Sequence, residues 1–225
     1  MLPFTDPNNL MILLFINFFF SITTLFAGEG STPLVKTETP KAVLLPEVER
    51  MYEGLNVCMN HAAFAQAWQV YHERGFTSGL MAIADFTLPS DQQRFYVIDV
   101  NSGTVLLQTW VAHGKNSGEN EATQFSNKEG SFMSSPGSYR IGEEIISPKH
   151  GAALMLDGLD NGINDNARNR EIIIHGADYV SADFIKTHGR CGRSHGCPAL
   201  PREEMEAVIK LLKPGSLLYI HTTSS

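Results

Sequence analysis

The sequence predicts a mostly β domain with peripheral helices, an α+β arrangement, and three observations predict it. Short runs rich in β-branched and aromatic residues recur between turn-forming clusters, as in LMAIADF, RFYVIDV and TVLLQTWV. An aromatic stripe at helical spacing precedes them, and a segment opened by proline follows near the C-terminus. Strands grouped together, with helices set before and after them, build a sheet decorated by helices.

Taken in order, the chain begins with LMILLFINFFFSITTLFA over residues 10–27, apolar apart from Asn17 and a few hydroxyls. This reads as a signal peptide or an N-terminal membrane anchor, so residues 1–27 predict export. The preceding MLPFTDPNN lacks Lys and Arg, and Leu25 stands where a small residue is preferred for cleavage after Ala27. Whether the segment is removed stays open. Residues 28–46, mixing Gly, Pro, Ser and Thr, read as a linker, and 47–225 as the folded domain. Helices are expected over about 47–75, where Phe64, Trp68 and Tyr71 share a face and Gly75 is a stop. Cys58 reads as a small buried hydrophobe.

Strands are expected over 80–86, 94–100 and 104–111, the last two forming a hairpin across Asn101-Ser102-Gly103. A long polar stretch, 113–138, follows; loops of that length are usually functional. Short strands are expected at Tyr139-Arg140-Ile141 and 152–156. Between 157 and 166 the run DGLDNGINDN invites a calcium reading. It lacks the EF-hand register and closing Glu, so a hydrogen-bonded turn delivering Arg168 and Arg170 is preferred. Pro201 opens a helix with Glu203, Glu204 and Glu206 early and Lys210 and Lys213 late, matching the macrodipole. Residues 216–221 return as a last strand.

The chemistry is concentrated in EIIIHGADYVSADFIKTHGRCGRSHGCPALP, residues 171–201. His175 ends an apolar strand, and Cys197 lies in a glycine-punctuated basic loop. These are the parts of a Cys/His nucleophilic site, because a thiolate needs a base and a positive, partly open setting. Arg190, Arg193 and His195 supply positive character locally. Gly196 permits close backbone approach to a developing oxyanion. His175 is the favoured base and His195 its rival; a separation of 22 residues from Cys197 is no obstacle to contact.

The string Ser194-His195-Gly196-Cys197, with His175-Gly176 upstream, resembles the signature of the YkuD-like L,D-transpeptidases. Within that group, GRSHGCPALP is similar to the murein L,D-transpeptidase catalytic domain family. Phe95-Tyr96-Val97-Ile98-Asp99, Ala112-His113-Gly114, Phe125-Ser126-Asn127 and Ser134-Ser135-Pro136-Gly137-Ser138-Tyr139 extend the resemblance over roughly 60–222. It implies a β-sandwich or barrel, Cys197 as nucleophile, His175 as base and His195 in support. The N–H of Cys197, with that of Gly196, would form the oxyanion hole. Peptidoglycan stem peptides would be donor and acceptor: a tetrapeptide loses D-alanine and a 3→3 cross-link forms. With water as acceptor the same acyl-enzyme gives an L,D-carboxypeptidase. The resemblance also implies a periplasmic or cell-envelope location and no cofactor.

One departure stands out. Many relatives carry Arg or Asn two residues after the nucleophile, where this chain has Pro198-Ala199. A substrate carboxylate contact must then come from elsewhere, and Arg193 or Arg190 is the substitute on offer. Ser194 and His113 complete the candidate substrate-binding set.

Composition limits the alternatives. Seventeen basic and 24 acidic residues give a net charge of −7 without long runs, which gives no support for nucleic-acid binding. Three cysteines are too few for a disulfide framework. Cys191 is a buried inert thiol, a partner for Cys58, or a reversible partner for Cys197. A different class remains: His188, Cys191, His195 and Cys197 could hold zinc in a non-catalytic wall-binding module, although no metal site is the preferred reading.

Overall fold

Alternation along the strands decides how the sheet is covered. The computed structural model describes residues 41–57 and 59–223. In β1 (Leu80–Asp85), Met81 and Ile83 face one core while Ala82 and Ala84 face another. In β2 (Phe95–Asp99), Tyr96 and Ile98 join the first core and Phe95 and Val97 the second. A strand with both faces buried must be apolar throughout, which is how these runs read.

The first core lies beneath α1 (Lys41–Leu55) and α2 (His61–Glu73). Phe64, Trp68 and Tyr71 are all buried there, the i, i+4, i+7 face that the sequence predicts. The helical region is broken in two: Asn56 adopts φ 49°, and the Asn60 side chain accepts the Ala62 N–H at 2.8 Å, capping α2. Helix α1 starts at Lys41, so its first turn lies in residues that the composition assigns to a linker. Residues 1–40 and Cys58 lie outside the described residues, and with them the signal, anchor and most of the linker. Among the described residues no helix is long and apolar enough to cross a membrane.

Eight strands form one sheet in the order β3-β2-β1-β8-β4-β5-β6-β7. Strands β2 and β3 (Thr104–Thr109) form the expected hairpin, and β1 pairs in parallel with β8 (Leu217–His221). The sheet curls until its ends meet. Beyond β3, Ala112 exchanges both backbone hydrogen bonds with Ala199 of β7 (Ala199–Leu200), at 2.8 and 3.3 Å. The result is a nearly closed barrel, which leaves little unpaired edge.

Two strands differ from expectation. β4 (Gly137–Ser147) has 11 residues and continues with β5 (Gly151–Gly158) into a long hairpin. Its outer half carries Glu143, Glu144 and Ile146 exposed, so hydropathy hides it. β7 is two residues long and gives no periodic signal. Helix α3 (Ala182–His188), capped by the Ser181 hydroxyl, sits between β6 (Ile173–Gly176) and the nucleophile loop. The segment from Pro201 begins as a 3₁₀ turn, Arg202–Glu204, and becomes α4 (Met205–Leu211).

The Asp/Asn-rich run at 157–166 folds as a hydrogen-bonded turn. The Asp160 carboxylate accepts the Ser138 N–H and hydroxyl and pairs with Arg74, while Asn164 donates to Pro136 and Ser138 carbonyls. Its second turn carries Arg170 to the start of β6.

Candidate active site

The 22-residue gap between His175 and Cys197 closes because β6 and β7 are neighbours. His175 pairs in parallel register with Ala199, and the Ala177 N–H reaches the Leu200 carbonyl at 2.9 Å. Cys197 precedes β7 by two residues, so pairing of the two strands sets it beside the end of β6. His175 and Cys197 line one cavity of ≈ 130 Å³ together with Lys149, His150, Arg193 and His195.

His175 is 1% exposed. Its Nδ1–H donates to the Gly176 carbonyl at 3.1 Å, which leaves the lone pair on Nε2. A backbone carbonyl therefore orients this ring. Burial, with Lys149, His150 and Arg202 nearby, lowers its pKa to about 4, so the imidazole is neutral at physiological pH. His150, from the turn between β4 and β5, stacks on it with centroids 3.7 Å apart.

Cys197 is half-buried and is a free thiol. Burial raises its pKa, and the Ile173 N–H and the Arg170 charge act in the opposite direction. Its Sγ approaches the Glu171 carbonyl at 3.8 Å, a residue held at φ 53° just before β6. Thiol and neutral imidazole are thus the resting forms.

The loop carrying Cys197 is braced from within. The Ser194 hydroxyl donates to the Cys197 carbonyl at 2.6 Å and accepts the Gly196 N–H at 3.0 Å. Ser194 is buried and also lines the smaller cavity, but both hydrogen bonds of its hydroxyl go to the loop backbone. Gly196 adopts φ +126°, and a Cβ there would lie 2.7 Å from the Met133 carbonyl oxygen. His195 is exposed, packs its ring against Phe132 at 4.6 Å, and lines cavities on both sides of Cys197.

The second cavity, ≈ 420 Å³, contains Cys197, His195, Phe132, Glu129, Asn169 and Arg170. Arg170 donates to the Ser126 and Met133 carbonyls at 2.9 and 2.6 Å and to the Ser135 hydroxyl at 2.6 Å. Neutral acceptors hold this half-buried guanidinium, which leaves its charge directed at the cavity.

The other candidates are tied to partners of their own. His113 is wholly buried: Arg94 donates to its Nδ1 at 2.8 Å and its Nε2–H faces the Gly118 carbonyl at 3.3 Å. Burial, then the Arg94 charge, lowers its pKa to about 3. It fastens the 113–118 loop and does not face the cleft as the resemblance implied. Arg193 lines the smaller cavity, yet its Nη1 pairs with Glu119 at 2.6 Å. Arg190 shares the same carboxylate at 3.2 Å. Those pairs turn both guanidinium groups toward Glu119.

The four residues of the zinc reading diverge. His188 stacks on Phe184 and donates to its carbonyl, and the buried Cys191 thiol donates to the Ser90 carbonyl at 3.0 Å. Among the described residues no three His, Cys, Asp or Glu side chains form a metal-ligand group. Cys191 packs with Ala112, Val180 and Ala199, and burial pushes its thiol up to about 11.

The family model of the L,D-transpeptidase catalytic domain matches residues 53–221. The chain belongs to that family. Among solved structures, an L,D-transpeptidase from Mycobacterium smegmatis is similar at 14% identity and TM-score 0.41, over 64% of this chain and 59% of that one. One from Stackebrandtia nassauensis is similar at 16% and 0.39, over 70% and 64%. One from Enterococcus faecium is similar at 15% and 0.38, over 64% and 50%. This L,D-transpeptidase domain thus spans between half and two thirds of the length of those structures. No curated protein matches it.

Three residues that line these cavities in the L,D-transpeptidase domain, Lys149, His150 and Arg170, are not among the sequence-derived candidates. Lys149 and His150 were hidden because the length of the β4–β5 hairpin could not be read. Arg170 reads in sequence as a residue delivered by a turn, and its place five residues before His175 is the available signal.

Proposed function

We propose that this L,D-transpeptidase domain transfers an acyl group from a peptidoglycan tetrapeptide stem through Cys197, releasing D-alanine and forming 3→3 cross-links. The single observation that carries the reading is the shared cavity: Cys197 and a neutral, carbonyl-oriented His175 line it from adjacent strands.

The chemistry follows from those groups. As Sγ attacks the carbonyl on the L-centre of the diaminopimelate residue, its proton passes to His175 Nε2. With the Gly196 N–H held by Ser194, the Cys197 N–H is the loop donor for the oxyanion. Collapse breaks the C–N bond, and His175 returns the proton to the departing amine. A second stem's side-chain amine then attacks the thioester while His175 takes its proton; the C–S bond breaks and the proton returns to Cys197 Sγ.

Cys197 also opens onto the larger cavity, which gives water a route to the thioester. L,D-carboxypeptidase activity is therefore the second reading. Export to the periplasm or cell envelope, by residues 1–27 as signal or anchor, would bring the domain to either substrate. Incubation with defined tetrapeptide muropeptides and mass spectrometry of products tests both: dimers support cross-linking, tripeptides alone support hydrolysis, and unchanged stems refute the acyl-transfer reading.

A further inference from the structure

The two cavities that meet at Cys197 differ in charge and in size. The larger carries Glu129 and Glu171 beside Arg170. The smaller carries Lys149, Arg193 and three histidines and no carboxylate. Arg193 is compensated by Glu119, whereas Lys149 has no acidic partner among the described residues. Lys149 therefore sets the sign of the field in the smaller cavity.

Size narrows what can enter. At ≈ 130 Å³ the smaller cavity has room inside it for roughly four waters' worth of volume, which matches one small amino acid. Position narrows it further. His175 lines this cavity and not the larger one, and the nitrogen that collects its proton must lie within hydrogen-bond reach.

We infer that the smaller cavity is the pocket for the expelled C-terminal residue, and that Lys149 binds its free carboxylate. The inference rests on the acyl-transfer reading above. In that step the S–C bond forms and the C–N bond breaks. The Cys197 proton travels through His175 to the leaving nitrogen. The released amino acid keeps its carboxylate against Lys149, so the enzyme selects stems ending in a small residue with an unblocked carboxylate. The larger cavity, with acidic and basic groups, takes the acyl portion.

Lys149 is an exposed turn residue, so Lys149→Glu leaves the fold intact. The first test compares alkylation of Cys197 in the whole chain by iodoacetate and by iodoacetamide, read by mass spectrometry. In each case sulfur displaces iodide, and only the reagent charge differs. Lys149→Glu should lower the iodoacetate-to-iodoacetamide rate ratio on the order of tenfold at low salt, and less at high salt. A ratio unchanged by the substitution overturns the inference. The second test compares a tetrapeptide stem with its C-terminal amide. Wild type should prefer the free acid, and Lys149→Glu should erase that preference chiefly through KM. Retained preference also overturns it. A ratio that responds in a protein turning over neither stem keeps the anion pocket and overturns its assignment to a leaving residue.

Discussion

The rings of His150 and His175 stack with centroids 3.7 Å apart and planes 30° from parallel. His150 covers one face of the proposed base, and burial is the largest cause of the low His175 pKa of about 4. Removing the cover should therefore raise that pKa. His150→Ala should move the acid limb of kcat/KM to higher pH, while His150→Phe should leave it near its wild-type position. Titration of the His175 ring by NMR in the free enzyme checks the same shift without substrate. A His150→Ala profile that overlays wild type would contradict this account.

Cys197→Ala should abolish stem turnover, because among the described residues no other thiol lines either cavity. Mass spectrometry of the denatured protein after mixing with substrate should show an acyl adduct in wild type alone. By the family resemblance a carbapenem should give a second adduct at the same residue.

The two histidines nearest the thiol should rank in a definite order. His175→Ala removes the general base and should cost on the order of 10²–10⁴-fold in rate. His195 is exposed and packs on Phe132, so His195→Ala should cost less. Single-turnover rates on tetrapeptide decide the order; a reversed ranking transfers the base role to His195.

Gly196→Ala should cripple activity without unfolding the domain. The new Cβ would stand 2.7 Å from the Met133 carbonyl oxygen at a φ that L-residues avoid. Relief requires the Cys197 loop to shift, and small displacements of a nucleophile are costly. Far-UV circular dichroism should stay near wild type while stem turnover falls.

Stability should decline on acidification above the carboxylate range. His113 and His175 are buried neutral, with pKa lowered to about 3 and about 4, against roughly 6.5 when unfolded. Between those limits the unfolded chain binds more protons, so stability is full above the unfolded value and is lost as pH falls. Urea midpoints at pH 7 and pH 5 measure it. A midpoint higher at pH 5 would show that these rings are not held neutral.

The candidate site was legible in the sequence as a cluster of residue types. Cys197, His195, Gly196 and His175 sit in one short segment whose residue types make them candidates, and continuous apolar runs mark β1, β2 and β8. Elements without a periodic signal were missed: the two-residue β7, the capped α3 and the solvent-facing half of β4. Each is fixed by a partner elsewhere, as β7 is by β6 and Ala112.

The amino-acid order by itself determined the sheet-rich architecture, the aromatic face of α2 and which residues are candidates for nucleophile and base, because these depend on residue type and local spacing. Tertiary structure alone decided which charges face the cleft. His113 and Arg193 look alike as cleft residues in sequence, yet one is sealed against Arg94 and the other, though it lines the smaller cavity, is paired with Glu119. Lys149, His150 and Arg170 look incidental, yet the β4–β5 hairpin and the turn before β6 bring them to Cys197. The reason is physical. A charged side chain reveals its partner only when chain closure has chosen which acids, carbonyls and cavities surround it.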